Sequence, residues 1–176
     1  MSDVDQACAA SVEAKDGLCR FILRGGRDVA DKASVALGVT VPADPCTASV
    51  MADIAALWLG PDEWLVLAPR AESGRIARAL NDALADGPHS LVEISDRNQA
   101  VTVRGPKAED VLNSGCPLDL GERAYPIGMC TRTVFHKAEI VLWRRAADQF
   151  HVEMIRSFRP YVLGLLDLAI RDNDAV

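Results

Sequence analysis

Three segments of this chain are apolar without a break where strands are expected: IAALWL at 54–59, WLVLA at 64–68 and IVLW at 140–143. A strand points successive side chains to opposite faces, so a sheet with one wet face alternates apolar with polar residues. These segments do not alternate. Their sheets must be covered on both sides, by helices, by another sheet or by another protein. The first two segments are joined by Gly60-Pro61-Asp62, a tight-turn sequence. Residues 54–68 therefore read as a hairpin with Trp58 on one arm and Trp64 on the other.

A chain of 176 residues, 49% apolar and 25% charged, has the make-up and length for one well-buried domain. The net charge of −6 is spread along the chain with no basic block, which argues against nucleic acid and anionic membrane as partners. The longest apolar run outside the strands, Tyr161–Ile170, is interrupted by Gly164 and Asp167, so nothing is expected to span a bilayer. The N-terminus is polar and acidic, unlike a secretory signal. Five cysteines, Cys8, Cys19, Cys46, Cys116 and Cys130, include no CxxC pair. An odd count without close pairs fits reduced thiols in the cytoplasm better than disulfides or a structural zinc.

Residues 1–16 read as a flexible leader, and 17–172 as a single compact domain of two fused halves, 17–96 and 97–172. In the first half, Cys19–Arg24 is a strand. Asp28 is placed to cap a helix that Gly38 ends. Residues 39–52, with Pro42 and Pro45, read as a loop. After the hairpin, Ser73 is placed to cap a helix carrying Ile76, Leu80 and Leu84, and Leu91–Ser95 is a strand. The second half repeats the theme. It has a strand at Ala100–Arg104, a short helix after Gly105-Pro106, and a loop to Gly128. Strands follow near Met129–Phe135, Glu139–Trp143 and Phe150–Met154, then a last helix capped by Ser157. The order implies an α+β fold of two pseudo-repeated ferredoxin-like βαββαβ-type halves with mixed, mainly antiparallel sheets.

No residue stands out as catalytic, cofactor-binding or metal-ligating. Asp62 and Glu63 are adjacent, so in a strand they diverge, whereas acid–base carboxylates converge on one bond. Gly25-Gly26 before a helix matches no phosphate-loop pattern. His89, His136 and His151 are scattered, and Cys116 lacks a nucleophile signature. Ser95-Asp96-Arg97 reads as a turn held by side-chain hydrogen bonds. Large aromatics mark cores but also interfaces. Candidates for a subunit interface are Trp58, Trp64, Pro117, Leu118 and Tyr125, together with the last helix.

Four stretches carry a resemblance: LWLGPDEWLVLAP, ISDRNQAVTVRGPKAEDVLNSGCPLDL, YPIGMCTRT, and IVLWRR with FHVEMIRSFRPYV. Together they resemble the gamma-subunit family of heterotetrameric sarcosine oxidase over roughly residues 17–167. The resemblance implies a fold like the folate-binding domain of aminomethyltransferases such as the glycine cleavage T-protein. Those enzymes orient folate with an Asp-Asp pair after two glycines. This chain has Ala138-Glu139 there, which leaves Glu139 as the one candidate carboxylate. The resemblance also implies alpha, beta and small delta partner subunits. FAD, FMN, NAD and tetrahydrofolate would be held on those subunits and none on this chain.

Three functions follow as expectations. The first is a non-catalytic gamma subunit of a complex that oxidatively demethylates sarcosine to glycine. Such a complex releases hydrogen peroxide and passes the one-carbon unit to tetrahydrofolate. The second is a stand-alone folate-binding protein or aminomethyltransferase-like enzyme using Glu139. The third is the same subunit role in a related N-methyl amino acid complex. An uncovered apolar face would also let the isolated chain self-associate.

Overall fold

A computed structural model describes residues 9–175. The strands are β1 Ser11–Ala14, β2 Leu18–Arg24, β3 Ala48–Met51, β4 Ile54–Gly60, β5 Glu63–Pro69, β6 Ser90–Glu93, β7 Asn98–Arg104, β8 Cys130–Phe135, β9 Ala138–Ala146 and β10 Gln149–Ile155. The helices are α1 Arg27–Leu37, α2 Ser73–Leu84, α3 Ala108–Asn113 and α4 Arg159–Asp174. The first sheet has the order β3-β4-β5-β2-β6 and the second β1-β7-β10-β9-β8. The pairings within both are antiparallel.

The unbroken apolar strands are explained by what lies on each side of them. In β4, Ala56 faces the helix layer, while Ala55, Leu57 and Leu59 face the second sheet. In β5, Trp64, Val66 and Ala68 pack toward Val29 and Ala33 of α1 and Ile76 and Leu80 of α2. Leu65 and Leu67, alternating with them, meet Cys130 and Trp143 of the second sheet. In β9, Ile140 and Leu142 turn instead to Val111 of α3 and Val162 and Leu166 of α4. The layers thus run helices, sheet, sheet, helices. Each central strand is buried on both faces by this one chain, so of the three covers the sequence left open, the helices and the other sheet supply it. A fully buried Leu contributes about 1.5–3 kcal/mol over an exposed one, so the two-faced strands supply much of the drive to stack the sheets.

Several local expectations change. Residues 11–14 of the expected flexible leader form β1, which pairs with β7 from Ser11↔Arg104 to Ala14↔Val101. The physical reason is an open β7 edge, since β10 occupies only its other side. Residues 1–8 of that leader lie outside the described residues. Gly105 (φ +141°) permits the approach of the segment before β1, because a Cβ there would lie 2.8 Å from Ala10 Cα. Part of the expected 39–52 loop is β3, paired with β4. Asp28 does not cap α1; it sits in the first turn, behind Gly26. Ser73 and Ser157 do not cap either, because 3₁₀ turns at Arg70–Glu72 and Arg156–Phe158 lead into α2 and α4. Gly38 does end α1, with φ 68° and its N–H donating to Ser34 O at 3.0 Å.

The sheets are also stitched at one side. Thr47 and Met129 form an isolated antiparallel bridge. Beside it, Ala48 N–H donates to Gly128 O at 3.0 Å and Cys130 N–H to Cys46 O at 2.9 Å.

Candidate functional site

The buried ionisable side chains Arg20, His151 and Glu153 form one cluster in the layer between the sheets. Arg20 of β2 alternates with Cys19 and Phe21, which face α1 and α2, so its side chain points toward the second sheet. Its Nε donates to Glu153 Oε2 of β10 at 2.7 Å, and its Nη1 to Leu18 O at 3.2 Å. Glu153 Oε1 accepts from His151 Nε2 at 2.9 Å. An ionised carboxylate only accepts, so the His151 proton sits on Nε2 in this contact. Arg20, His151 and Glu153 are all nearly fully buried. Burial by itself raises the Glu153 pKa. The His151 hydrogen bond and charge, followed by Arg20, outweigh it and hold the carboxyl below the usual range. Behind Arg20, its backbone N–H donates to Ser95 Oγ at 3.0 Å, and Ser95 Oγ donates to Glu93 Oε1 at 2.6 Å. Both carboxylate oxygens of Glu153 are thus occupied and sealed from solvent, so the cluster is a clamp between sheets rather than a proton-transfer site.

Next to this clamp the sheets diverge around a cleft of about 540 Å³. Ile22, Leu65, Ile94 and Val141 give it apolar walls. The tip of the opening hairpin lies at its mouth, where Glu63 accepts from Arg132 of the second sheet. Arg24 donates to Asp62 at 3.1 Å. The Asp62-Glu63 pair is therefore engaged with arginines and closes the hairpin tip onto β2 and β8. Arg97 and Glu139 also line this cleft, and neither has a side-chain hydrogen bond or ion pair among the described residues.

The remaining candidates fall outside any constellation. Gly25 lies where a Cβ would come within 2.5 Å of the Val29 side chain, which is a packing requirement. Asp96 of the Ser95-Asp96-Arg97 turn pairs with Arg70 at 2.9 Å. Cys116 is buried beside Thr133 at 3.8 Å, and His136 sits in the β8–β9 turn with φ 52°. Among the described residues, no three His, Cys, Asp or Glu side chains form a metal-binding group.

Two of the five interface candidates are corrected. Trp64 is 2% exposed and its Nε1 donates to Pro42 O at 2.7 Å. Tyr125 is 1% exposed and its hydroxyl donates to Leu142 O at 2.6 Å. Both are apolar bodies with a polar tip satisfied inside the fold, so neither reaches the surface. Trp58 is half-buried, while Pro117 and Leu118 are exposed. Exposed apolar groups also lie at Tyr161 and Leu168 on the outer face of α4, and at Phe158 in the turn just before it. Sequence reasoning missed Arg20 and Glu153. The available signal was a charged residue in an otherwise apolar strand, in CRFIL and FHVEM.

Two stacked antiparallel sheets with helices on both outer faces define an α+β protein of the aminomethyltransferase architecture. The glycine cleavage system aminomethyltransferase T of Bartonella henselae superposes with a TM-score of 0.65 at 10% identity, over 92% of this chain and 46% of that one. A heterotetrameric sarcosine oxidase structure from Corynebacterium sp. U-96, in complex with pyrrole 2-carboxylate, gives 0.89 at 24% identity, over 95% and 86%. The model of the sarcosine oxidase gamma subunit family matches residues 26–172, and this chain belongs to that family. The sarcosine oxidase subunit gamma of Corynebacterium sp. (strain P-1) is 33% identical over 64% of this chain and 54% of its own length. That of Corynebacterium sp. (strain U-96) is 29% identical over 81% and 69%. The chain spans about half the length of the first of these relatives. Among the described residues, no helix is long and apolar enough to cross a membrane.

Proposed function

We propose that this chain is the non-catalytic gamma subunit of a heterotetrameric sarcosine oxidase in the cytoplasm. The family match over residues 26–172 carries the reading. In it, the alpha, beta and small delta partners hold FAD, FMN, NAD and tetrahydrofolate. The complex oxidatively demethylates sarcosine to glycine, releases hydrogen peroxide and passes the one-carbon unit to tetrahydrofolate. The same role in a complex for another N-methyl amino acid would differ only in partner residues that build the amine pocket.

The fold reading is that of one domain built from two copies of a ferredoxin-like unit. Strands β4-β5-β2-β6 of the first sheet correspond to β9-β10-β7-β1 of the second, with β3 and β8 as equivalent extra edges. The second copy thus completes its sheet with the N-terminal strand.

Trp58, Pro117, Leu118 and the outer face of α4 are the proposed contacts with partner subunits. Co-expressed with alpha and beta partners, the chain is expected to purify as part of one assembly. Tyr161→Asp combined with Leu168→Asp is expected to cut its share at least about tenfold, roughly 1.4 kcal/mol of association, while circular dichroism of the isolated variant stays native. An undiminished share moves the interface off α4, and a parent chain that never associates overturns the subunit reading.

A second reading, a stand-alone tetrahydrofolate-binding protein, draws on the cleft that Glu139 lines. Calorimetric titration separates the two. Tetrahydrofolate added to the isolated chain is expected to give no heat. Micromolar binding that Glu139→Gln abolishes would establish the second reading instead.

A further inference from the structure

The stitch between the two sheets contains two cysteines. Thr47↔Met129 is the bridged pair, and Cys46 and Cys130 are the neighbours on either side of the same register. They are tied directly, with Cys130 N–H donating to Cys46 O at 2.9 Å. One direct backbone hydrogen bond between two residues is compatible with the Cα separation of roughly 4.4–6.8 Å that a disulfide spans. The two differ in environment. Cys130 is fully buried in the layer between the sheets. Cys46 is half-buried, and its backbone is left-handed at φ 59°, a conformation that residues other than glycine rarely hold without a constraint. Burial pushes the Cys130 thiol up to about 12, against the lowering effect of its hydrogen bond to the Trp58 backbone. Cys130 is thus a neutral thiol at physiological pH. Its Sγ donates to Thr47 O at 3.2 Å, on the residue next to Cys46.

We propose that Cys46 is an oxidation site that closes a disulfide to Cys130 across the seam joining the two sheets. The oxidant is a peroxide. The Cys46 thiolate attacks one peroxide oxygen, the O–O bond breaks, and a sulfenic acid and hydroxide form. Cys130 sulfur then attacks the Cys46 sulfenic sulfur. The S–O bond breaks, and the hydroxyl leaves as water with the Cys130 proton. Two thiols are oxidised by two electrons, and both peroxide oxygens end as water. The half-buried Cys46 is the entry point, because the buried Cys130 is both shielded and protonated. Cys130 attacks through its thiolate, so closure quickens as pH rises. That the proposed complex itself releases peroxide rests on the subunit reading; the thiol chemistry does not.

The test treats the isolated, fully reduced chain with hydrogen peroxide, followed by peptide mapping and intact mass. The expected result is loss of two hydrogens from the monomer and a Cys46–Cys130 linked peptide. Cys46 should react at least about tenfold faster than the buried Cys19. In Cys130→Ser, Cys46 is expected to stay as sulfenic acid and be trapped by dimedone. In Cys46→Ser, Cys130 is expected to remain reduced. An unmodified Cys46 overturns the proposal, as does its pairing to Cys8, to Cys116 or to a second chain. The same mapping on the co-purified complex during sarcosine turnover, with and without catalase, asks separately whether the assembly supplies the oxidant. Failure of that arm alone removes the source and leaves the site.

Discussion

Glu153→Gln is expected to remove about 3–5 kcal/mol of folding stability, the usual cost of breaking a buried ion pair by deleting one charge. The amide leaves the Arg20 guanidinium, 4% exposed, without its counter-ion in the layer between the sheets. Domains of this kind are stable by about 5–15 kcal/mol in total, so the variant should approach the edge of folding at physiological temperature. Urea unfolding at pH 7 measures the loss. Replacing both partners, Arg20→Met with Glu153→Met, is expected to cost less than the single change, because no charge remains buried. A double variant as damaged as Glu153→Gln would show that the carboxylate matters for something other than this pairing.

The same group sets an acid limit. The folded Glu153 carboxyl titrates below its ordinary value of 4.5. A carboxylate with a depressed folded pKa contributes stability that is complete above the unfolded pKa and is lost as pH falls through the folded one. Stability of the parent chain should therefore fall as pH drops below about 4.5, and Glu153→Gln should show a flatter profile in that window. Equal slopes for both proteins would place the acid limit elsewhere.

Leu57→Ala is expected to cost about 2–5 kcal/mol. Leu57 is fully buried between the sheets, where Leu65, Leu67 and Trp143 also pack. Layers held by strands on both sides have little room to collapse into the space of the removed methyl groups, which favours the upper part of that range. Val35→Ala on α1 is the matching control. Val35 is 86% exposed, and its change should stay within about 0.5 kcal/mol. Chemical denaturation of both variants checks the contrast. A small effect at Leu57 would mean the two sheets are not stacked as described.

Much of the fold was legible because its signals are local. Strands β2, β4, β5, β9 and β10 announce themselves by apolar β-branched and aromatic runs, and the Gly38 stop by its freedom to adopt a positive φ. The short edges were not legible. β3 and β1 have four residues each, largely exposed, and such segments become strands only when a free edge is offered to them. The caps at Ser73 and Ser157 failed for a related reason. Each helix is entered through a 3₁₀ turn, and the Ser73 hydroxyl donates to Glu93 at 2.8 Å instead.

The candidate site was legible only as separate pieces. Glu139 and the Asp62-Glu63 turn could be singled out, yet their places around one cleft depend on contacts between distant segments. Arg20 and Glu153 are 133 positions apart, and nothing in either neighbourhood names the other. Trp64 and Tyr125 show the opposite error. Their type is common to cores and interfaces alike, and only the acceptors at Pro42 and Leu142 place them inside.

By itself the sequence determined that the central strands need cover on both faces, because side chains alternate across a strand and here both sets are apolar. It also determined which segments become those strands and the principal helices, since periodicity, glycine and proline act over a few residues. What supplies the cover was decided by tertiary structure alone. One sheet of the chain stacks on the other, the N-terminal strand fills the edge of β7 much later in the chain, and a buried arginine meets a glutamate from the far half. Those choices are set by which surfaces are complementary once every element exists, a property that no local stretch of residues carries.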